Sequence, residues 1–237
     1  MSKDKKTFLE KYAQDTRVHV YSLVLILPLV LIYEGGILLI NECSFGRATI
    51  LANELIVLIF ERLGLRNVNI IPAILVMATL FAMQWKSGKS WNIRLSNVFM
   101  LHIEYILYAV LFFISVSWIF PGRLIFRVPR AAEVILSIGA GVYEEYLFRL
   151  LFLSALILFF KKSLNVENKR TLYTAVVISA VCFAGFHHIL GRDPFRWSDF
   201  CIRSAAGVYF GFIFLTRGYG VCAGTHIGFN ILRVMFC

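Results

Sequence analysis

Charged side chains are scarce in this sequence. Asp, Glu, Lys and Arg together make up 16% of its 237 residues, whereas soluble domains carry about 25%. Hydrophobic residues make up 59%, and several runs of about 20 residues, the length needed to cross the hydrocarbon core as a helix, contain almost no charge. The composition excludes an ordinary soluble enzyme and indicates an integral membrane protein.

Paired cysteines, internal repeats and low-complexity linkers are also missing. The cysteines occur singly, without a CxxC pair or a metal-ligand spacing, and we predict that they pack among apolar side chains. They are Cys43, Cys182, Cys201, Cys222 and Cys237. Since no linker divides the chain, it is predicted to form a single integral-membrane domain over residues 1–237.

The formal net charge of +10 could suggest a protein that binds nucleic acid. The basic residues, however, lie mostly between the apolar runs, where they are expected to meet lipid head groups. These basic segments are 3–11, 86–94, 123–130 and 161–170. The predicted partners therefore include the lipid bilayer and no nucleic acid, and the lysine-rich N-terminus is expected on the cytoplasmic side.

Eight apolar windows predict an all-α fold, a polytopic transmembrane bundle of about eight helices. The windows lie near residues 18–40, 48–64, 69–85, 97–120, 131–160, 171–189, 200–216 and 218–236. The window 131–160 is longer than one perpendicular span, so the helix there is expected to be tilted, kinked at Gly139 and Gly141, or divided there. We favour a helix that runs past the bilayer.

Glycines at fourfold spacing occur in the last two windows. They are Gly207 and Gly211 in one window, and Gly220, Gly224 and Gly228 in the other. Such stripes of small residues allow helix backbones to approach closely in lipid. The two helices that carry them are therefore predicted to pack tightly.

Ionisable residues interrupt the apolar window 131–160. A charged side chain at the centre of a membrane helix costs about 2.5 to 3.5 kcal/mol on insertion scales, so it requires a partner or a wet cavity. Glu145 and Arg149 are four residues apart and share a helix face, whereas Glu144 points about 100° away from Glu145. This spacing predicts one neutralised glutamate and one that is left free.

Two later windows contain histidines. The fragment FAGFHH places Phe183 and His187 on one helix face and His188 off it, and GTHIGFN places His226 and Asn230 on one face, opposite the glycine stripe. A carboxylate, two histidines and an amide suffice for hydrolysis, because they supply a base for water and donors for an oxyanion. For each group alone, a buried ion pair or an interhelical hydrogen bond is an equally good interpretation.

Three ordered motifs carry a resemblance to a known family. The fragments EEYLFR, FAGFH and HIGFN fit the patterns EExxxR, FxxxH and HxxxN, each on its own apolar segment. Together they resemble the CPBP family of CAAX prenyl endopeptidases and bacteriocin-processing membrane proteins, also called ABI-type glutamic intramembrane proteases. The resemblance covers about residues 131–237, the expected catalytic core, whereas residues 18–120 match only as accessory N-terminal helices.

The resemblance implies an eight-helix intramembrane endopeptidase, a hydrolase of peptide bonds whose cavity opens within the bilayer. It carries six site residues over to this sequence: Glu144, Glu145, Arg149, His187, His226 and Asn230. The first glutamate would activate a water together with the histidine of FxxxH. The histidine and asparagine of HxxxN would form the oxyanion site, and the second glutamate and the arginine would orient groups and balance charge.

The resemblance also implies the partner and the location. The substrate would be a membrane-anchored or lipidated peptide, cut near its membrane-embedded or lipid-linked segment. The protein is expected to be a multi-pass protein of a bacterial or archaeal cell membrane.

No cofactor is expected, although zinc is an alternative. The sequence has no HExxH motif, yet His187, His226 and a glutamate could supply three zinc ligands with an open position. We favour a metal-free site because the charge of Arg149 would compete with a cation. His188, next to His187, is the alternative imidazole for the cavity.

Two functions outside proteolysis are alternatives. A noncatalytic immunity or scaffold protein would bind a peptide in the same cavity. A transporter would use Glu144 and Glu145 as a proton relay, but the repeated halves expected of such a protein are not visible. Glu34, in the first window, could contact the substrate or the cavity, pair with a buried arginine, or mark a helix end at Gly35 and Gly36.

Overall fold

A computed structural model describes residues 7–43, 48–65, 68–119, 129–163, 168–189 and 194–236. All regular structure within these ranges is helical, which confirms the all-α class. The helices are α1 (Phe8–Thr16), α2 (His19–Cys43), α3 (Leu51–Arg62), α4 (Ile71–Ser87), α5 (Leu95–Ile119), α6 (Ala131–Glu145), a π-helical segment (Tyr146–Leu153), α7 (Ser154–Ser163), α8 (Lys169–Ile189), α9 (Trp197–Arg217) and α10 (Tyr219–Phe236).

The helices correspond to the eight apolar windows, with α1 as an addition. Hydropathy does not predict α1, because it is a short polar helix. Its start is nevertheless readable, since Thr7 and Glu10 form a capping box: the Glu10 N–H donates to Thr7 Oγ1 at 3.3 Å, and the Thr7 N–H donates to Glu10 Oε2 at 2.8 Å. Within the basic segments, residues 3–6, 123–128 and 164–167 lie outside the described part of the chain.

The long window 131–160 forms one continuous helix through α6, the π segment and α7. It is not divided at Gly139 or Gly141, which both lie inside α6. At a rise of about 1.5 Å per residue its length is about 50 Å, more than the roughly 30 Å of a hydrocarbon core. The irregularity lies further on, in the π segment, and a π-helical turn inside an α-helix is often found at a functional site.

Within the described ranges, four helices are long and apolar enough to cross a membrane: His19–Glu42, Leu95–Ile119, Lys169–Ile189 and Trp197–Arg217. Their outward faces carry large apolar side chains, for example Leu38, which is 65% exposed, and Trp118, which is 84% exposed. Such continuous apolar surface is typical of contact with lipid. The division into one domain over residues 1–237 stays a prediction.

The glycine stripes do permit close helix packing, but with other partners than each other. A Cβ on Gly207 of α9 would lie 2.7 Å from the Cα of Ala180 on α8. On α10, a Cβ on Gly224 would lie 2.7 Å from the Tyr105 ring of α5. The stripe of α9 therefore packs on α8, and that of α10 packs on α5 and, through Gly220, on α2.

The prediction that the cysteines are packing residues is wrong for two of them. Cys182 and Cys201 are exposed on the outside of the bundle, whereas Cys222 is buried. The Cys43 side chain and Cys237 lie outside the described part of the structure. Cysteine is small and apolar enough to face lipid, so an apolar window alone does not decide its orientation.

Candidate active site

The site forms where α6 and α10 cross closely. At Gly141 of α6 an added Cβ would lie 2.3 Å from Ile227 Cγ1 and 2.9 Å from the carbonyl oxygen of Ala223, both on α10. A residue without a side chain is thus required for this backbone approach. One turn later, the approach brings Glu145 opposite His226.

Glu145 is completely buried, and three side chains surround its carboxylate. Oε1 accepts a hydrogen bond from His226 Nδ1 at 2.7 Å and lies 3.0 Å from Arg149 Nη1. Oε2 lies 3.0 Å from the Cys222 sulfur. The ion pair that the spacing of Glu145 and Arg149 predicted is present, and Glu145 additionally holds a histidine.

Arg149 is 1% exposed and is stabilised mainly by charge and by aromatic faces. Its guanidinium lies 4.4 Å from the ring centre of Phe183 and 5.7 Å from that of Phe210, distances at which cation–π attraction operates. Nη2 donates to the carbonyl oxygen of Gly207 at 3.4 Å. Nη1 is close to Glu145 but is not aligned for a hydrogen bond.

The π segment around Arg149 is supported by two serines. Ser179 of α8 donates its hydroxyl to the carbonyl oxygen of Phe148 at 2.9 Å, and Ser154 donates to that of Arg149 at 3.3 Å. In a π segment the i→i−4 backbone bonds give way to i→i−5 bonds. Side-chain hydroxyl groups can then donate to backbone carbonyl groups there.

Glu144 lies between two imidazoles. Its Oε1 is 3.5 Å from His187 Nε2, and its Oε2 is 3.8 Å from His226 Nε2. Unlike its neighbour Glu145, it retains 6% exposure. The structure thus brings together five of the six predicted site residues and gives the two adjacent glutamates different surroundings.

The hydrogen-bond partners of the two histidines define their tautomers. His187 Nδ1 lies 2.9 Å from the carbonyl oxygen of Phe183, which can only accept, and His226 Nδ1 faces the Glu145 carboxylate. Each Nδ1 therefore carries a proton, and Nε2 of each ring is directed at Glu144. A neutral ring accepts at Nε2 from a donor such as water, whereas a protonated ring donates there.

Asn230 and His188 are not tied to this cluster. Asn230 lies one turn beyond His226 on α10 and is partly exposed, and its amide forms no hydrogen bond with any residue that the structure describes. The His188 ring packs instead against Phe195 and Phe200, at 4.9 and 6.1 Å between ring centres. Of the two adjacent histidines, His187 is the one that faces Glu144.

The sequence did not indicate that Cys222 and Phe210 line the site. The Phe210 ring is stacked on the His226 ring, with centres 4.7 Å apart and planes 21° apart. Cys222 is four residues before His226 and therefore shares its helix face. This spacing could have indicated Cys222, but none of the three motifs includes it. Phe210 had no such signal, because its contact depends on how α9 lies against α10.

The zinc alternative concerned His187, His226 and a glutamate. No group of three or more His, Cys, Asp or Glu side chains in the described ranges is placed to hold a metal ion. His226 directs Nδ1 at Glu145, whose carboxylate also pairs with Arg149.

Glu34 has a different partner from those considered. Its carboxylate accepts a hydrogen bond from the hydroxyl of Tyr143, the residue before Glu144. α2 continues through Gly35 and Gly36 to Cys43, so no helix ends there. The suggestion of a helix end is therefore wrong, whereas a buried arginine partner and a contact with substrate both stay untested.

A family model matches residues 127–232, and its description is Rce1-like, type II CAAX prenyl endopeptidase Rce1-like. The matched range contains all three motifs and covers somewhat less than half of the chain. The match confirms the resemblance to CAAX prenyl endopeptidases over these residues, and it supports a protease, a hydrolase, at the level of the family. No curated protein and no solved structure matches the chain.

Proposed function

We propose that the protein is a multi-pass intramembrane endopeptidase that cleaves a peptide bond near a membrane-embedded or lipid-linked segment. The observation that carries the proposal is the position of Glu144, a carboxylate between two imidazoles inside a bundle with an apolar exterior. The match of residues 127–232 to CAAX prenyl endopeptidases supports a membrane-associated, prenylated peptide as the general class of substrate.

Glu144 and His187 would activate the water. A water that donates one O–H to Glu144 and the other to His187 Nε2 would turn its oxygen lone pairs toward a peptide carbonyl. During attack the water proton moves to Glu144, and Glu144 then donates it to the nitrogen of the leaving amine. The new bond is carbon to water oxygen, the bond that breaks is the peptide C–N bond, and the base is regenerated.

His226 and Asn230 would stabilise the oxyanion. His226 Nδ1 donates to Glu145, so Nε2 donates only in the imidazolium form. The Glu145 carboxylate accepts from Nδ1 and orients the ring, as the Asp of a catalytic triad orients its histidine. The Asn230 amide would supply the second donor.

The metal-free reading is part of this proposal. It is supported by the placement of His226 against Glu145 and by the charge of Arg149 beside it. A bacterial or archaeal cell membrane stays the expected location.

The test is cleavage of a panel of lipidated and membrane-anchored peptides by purified protein in liposomes. We expect Glu144→Gln to lower kcat about 10²- to 10⁴-fold, the usual contribution of a general base. Glu54→Gln, which changes an exposed glutamate of α3, is the matched control and should cleave like the wild type. A strong chelator should not change the cleavage rate of the wild type or of Glu54→Gln.

Each other outcome favours a named alternative. Chelator-sensitive cleavage that zinc restores would establish the metal-dependent protease. Folded wild type that binds peptides but cuts none would favour the immunity or scaffold protein. Proton flux that Glu144→Gln abolishes, without any cleavage, would favour the transporter.

A further inference from the structure

The Cys222 thiol contacts the glutamate that holds His226. Cys222 is on α10, has no exposed surface, and is one turn before His226. Its sulfur lies 3.0 Å from Glu145 Oε2 and 3.2 Å from the carbonyl oxygen of Phe210. Two acceptors thus compete for one S–H proton.

The S–H group of Cys222 donates its hydrogen bond to Glu145 and not to the carbonyl oxygen of Phe210. A carboxylate is charged and is the stronger acceptor. The Phe210 carbonyl lies inside α9, where the i→i−4 ladder already supplies it with a backbone N–H donor. Among the described residues, Cys222 is the one donor to Oε2, because His226 and Arg149 both approach Oε1.

We infer that Cys222 is a positioning residue for the proposed peptidase, and that its S–H fixes the plane of the Glu145 carboxylate so that Oε1 faces His226 Nδ1. This inference rests on the proposed function. Without a donor on Oε2, the carboxylate can turn about its terminal bond. His226 then loses the partner that sets its tautomer and orients Nε2 toward Glu144.

The kinetic test compares Cys222→Ala with Cys222→Ser in the liposome cleavage assay. Serine keeps a donor and alanine removes it. We expect Cys222→Ala to lower kcat about tenfold with KM unchanged, the size of losing one hydrogen bond to a charged group, and Cys222→Ser to stay within about threefold of wild type. Cys182→Ala, which changes an exposed cysteine, should leave kcat unchanged.

A packing role predicts the opposite order. Serine buries a hydroxyl in a site made for a thiol, so alanine would then be the better replacement. If Cys222→Ala does not fold, Cys222→Val and Cys222→Thr provide a second pair, equal in volume and different in the hydroxyl. Activity in the valine or alanine variant equal to that of its hydroxyl counterpart overturns the inference.

A spectroscopic measurement tests the contact without a substrate. In a variant whose other cysteines are replaced by alanine, the infrared S–H stretching band of Cys222 should shift to higher wavenumber on Glu145→Gln, because a neutral amide is a weaker acceptor. An unchanged band overturns the inference. Glu144→Gln in the cleavage assay separates the two claims: if it abolishes cleavage while Cys222→Ala cleaves normally, the proposed function stands and the role of Cys222 falls.

Discussion

Two ion pairs in this bundle, one partly buried and one fully buried, are built in opposite ways. At the junction of α1, α5 and α9, Arg217 donates through Nε and Nη2 to the two carboxylate oxygens of Glu104. Its other bonds go to the carbonyl oxygen of Ala13 at 3.1 Å and the hydroxyl of Thr16 at 2.8 Å, and Tyr12 donates to Glu104 at 2.7 Å. Donors and acceptors are matched, and this pair serves to join three helices.

The hydrogen-bonding groups of the pair Glu145–Arg149 are not all matched in this way. Arg149 Nη1 is buried without an aligned hydrogen bond in the described part of the chain. The adjacent Glu144 has two imidazole nitrogens at 3.5 and 3.8 Å, beyond a good hydrogen bond. Buried polar groups are normally satisfied, and those that are not require an explanation. The difference is the one that the proposed function requires, with one cluster that joins helices and another that leaves room for water and substrate.

The largest difference is expected between the two adjacent histidines. His187→Gln removes the imidazole that faces Glu144, and we expect kcat to fall about 10²- to 10⁴-fold. His188→Gln is the matched control, since its ring packs on Phe195 and Phe200, and it should stay within about threefold. Cleavage by purified variants of equal thermal stability is the measurement. A larger loss in His188→Gln would reverse the assignment.

The Glu104–Arg217 pair is expected to affect the stability of the protein and not its cleavage rate. Arg217→Met leaves the partly buried Glu104 without its cation, which should lower the free energy of unfolding by about 2 kcal/mol, less than for a fully buried pair. Thermal unfolding in detergent measures this loss. The added change Glu104→Gln should recover part of it. A fall in kcat per folded molecule, without loss of stability, would contradict the division between the clusters.

The crossing of α6 and α10 is expected to affect both stability and the cleavage rate. Gly141→Ala forces a Cβ against Ile227 and Ala223, at an expected cost of about 1 to 3 kcal/mol in unfolding free energy. It also moves Glu145 away from His226, so kcat should fall at least about tenfold. Gly35→Ala is the control, because a Cβ there meets nothing within 4 Å. Equal behaviour of the two variants would show that the close approach is dispensable.

The smallest effect is expected for Tyr12→Phe. Burial, and then the Glu104 carboxylate, raise the pKa of the Tyr12 hydroxyl, so it stays protonated and donates throughout the neutral range. Its loss should cost about 1 kcal/mol of unfolding free energy and leave cleavage unchanged. The unfolding temperature at pH 6 and pH 8 should fall equally. A loss confined to one pH would contradict a protonated donor.

The helices and the motif pairs could be predicted because they are local. Apolar length locates the spans, and fourfold spacing gives the Glu145–Arg149 pair and the shared face of His226 and Asn230. The same spacing places Cys222 beside His226, but its oxygen partner is on another helix. Local periodicity therefore predicts which residues share a helix face, but it does not predict which residues of other helices that face contacts.

The remaining contacts join distant parts of the chain. Arg217 meets Glu104 and Thr16, and Tyr143 meets Glu34, across separations that no motif spans. The π segment was also not predicted, because its departure from the i→i−4 ladder depends on outside donors such as Ser179. These features follow from tertiary packing, which a single sequence does not display.

The most direct test compares Glu144→Gln with Glu104→Gln in the same liposomes, with kcat per folded molecule and unfolding temperature measured for both. Both substitutions remove one carboxylate charge from the bundle, buried at Glu144 and partly buried at Glu104. We expect Glu144→Gln to lose cleavage and keep its unfolding temperature, and Glu104→Gln to lose stability and keep its cleavage rate. If both variants lose stability and both retain cleavage, Glu144 is a structural residue and the proposed peptidase site is wrong.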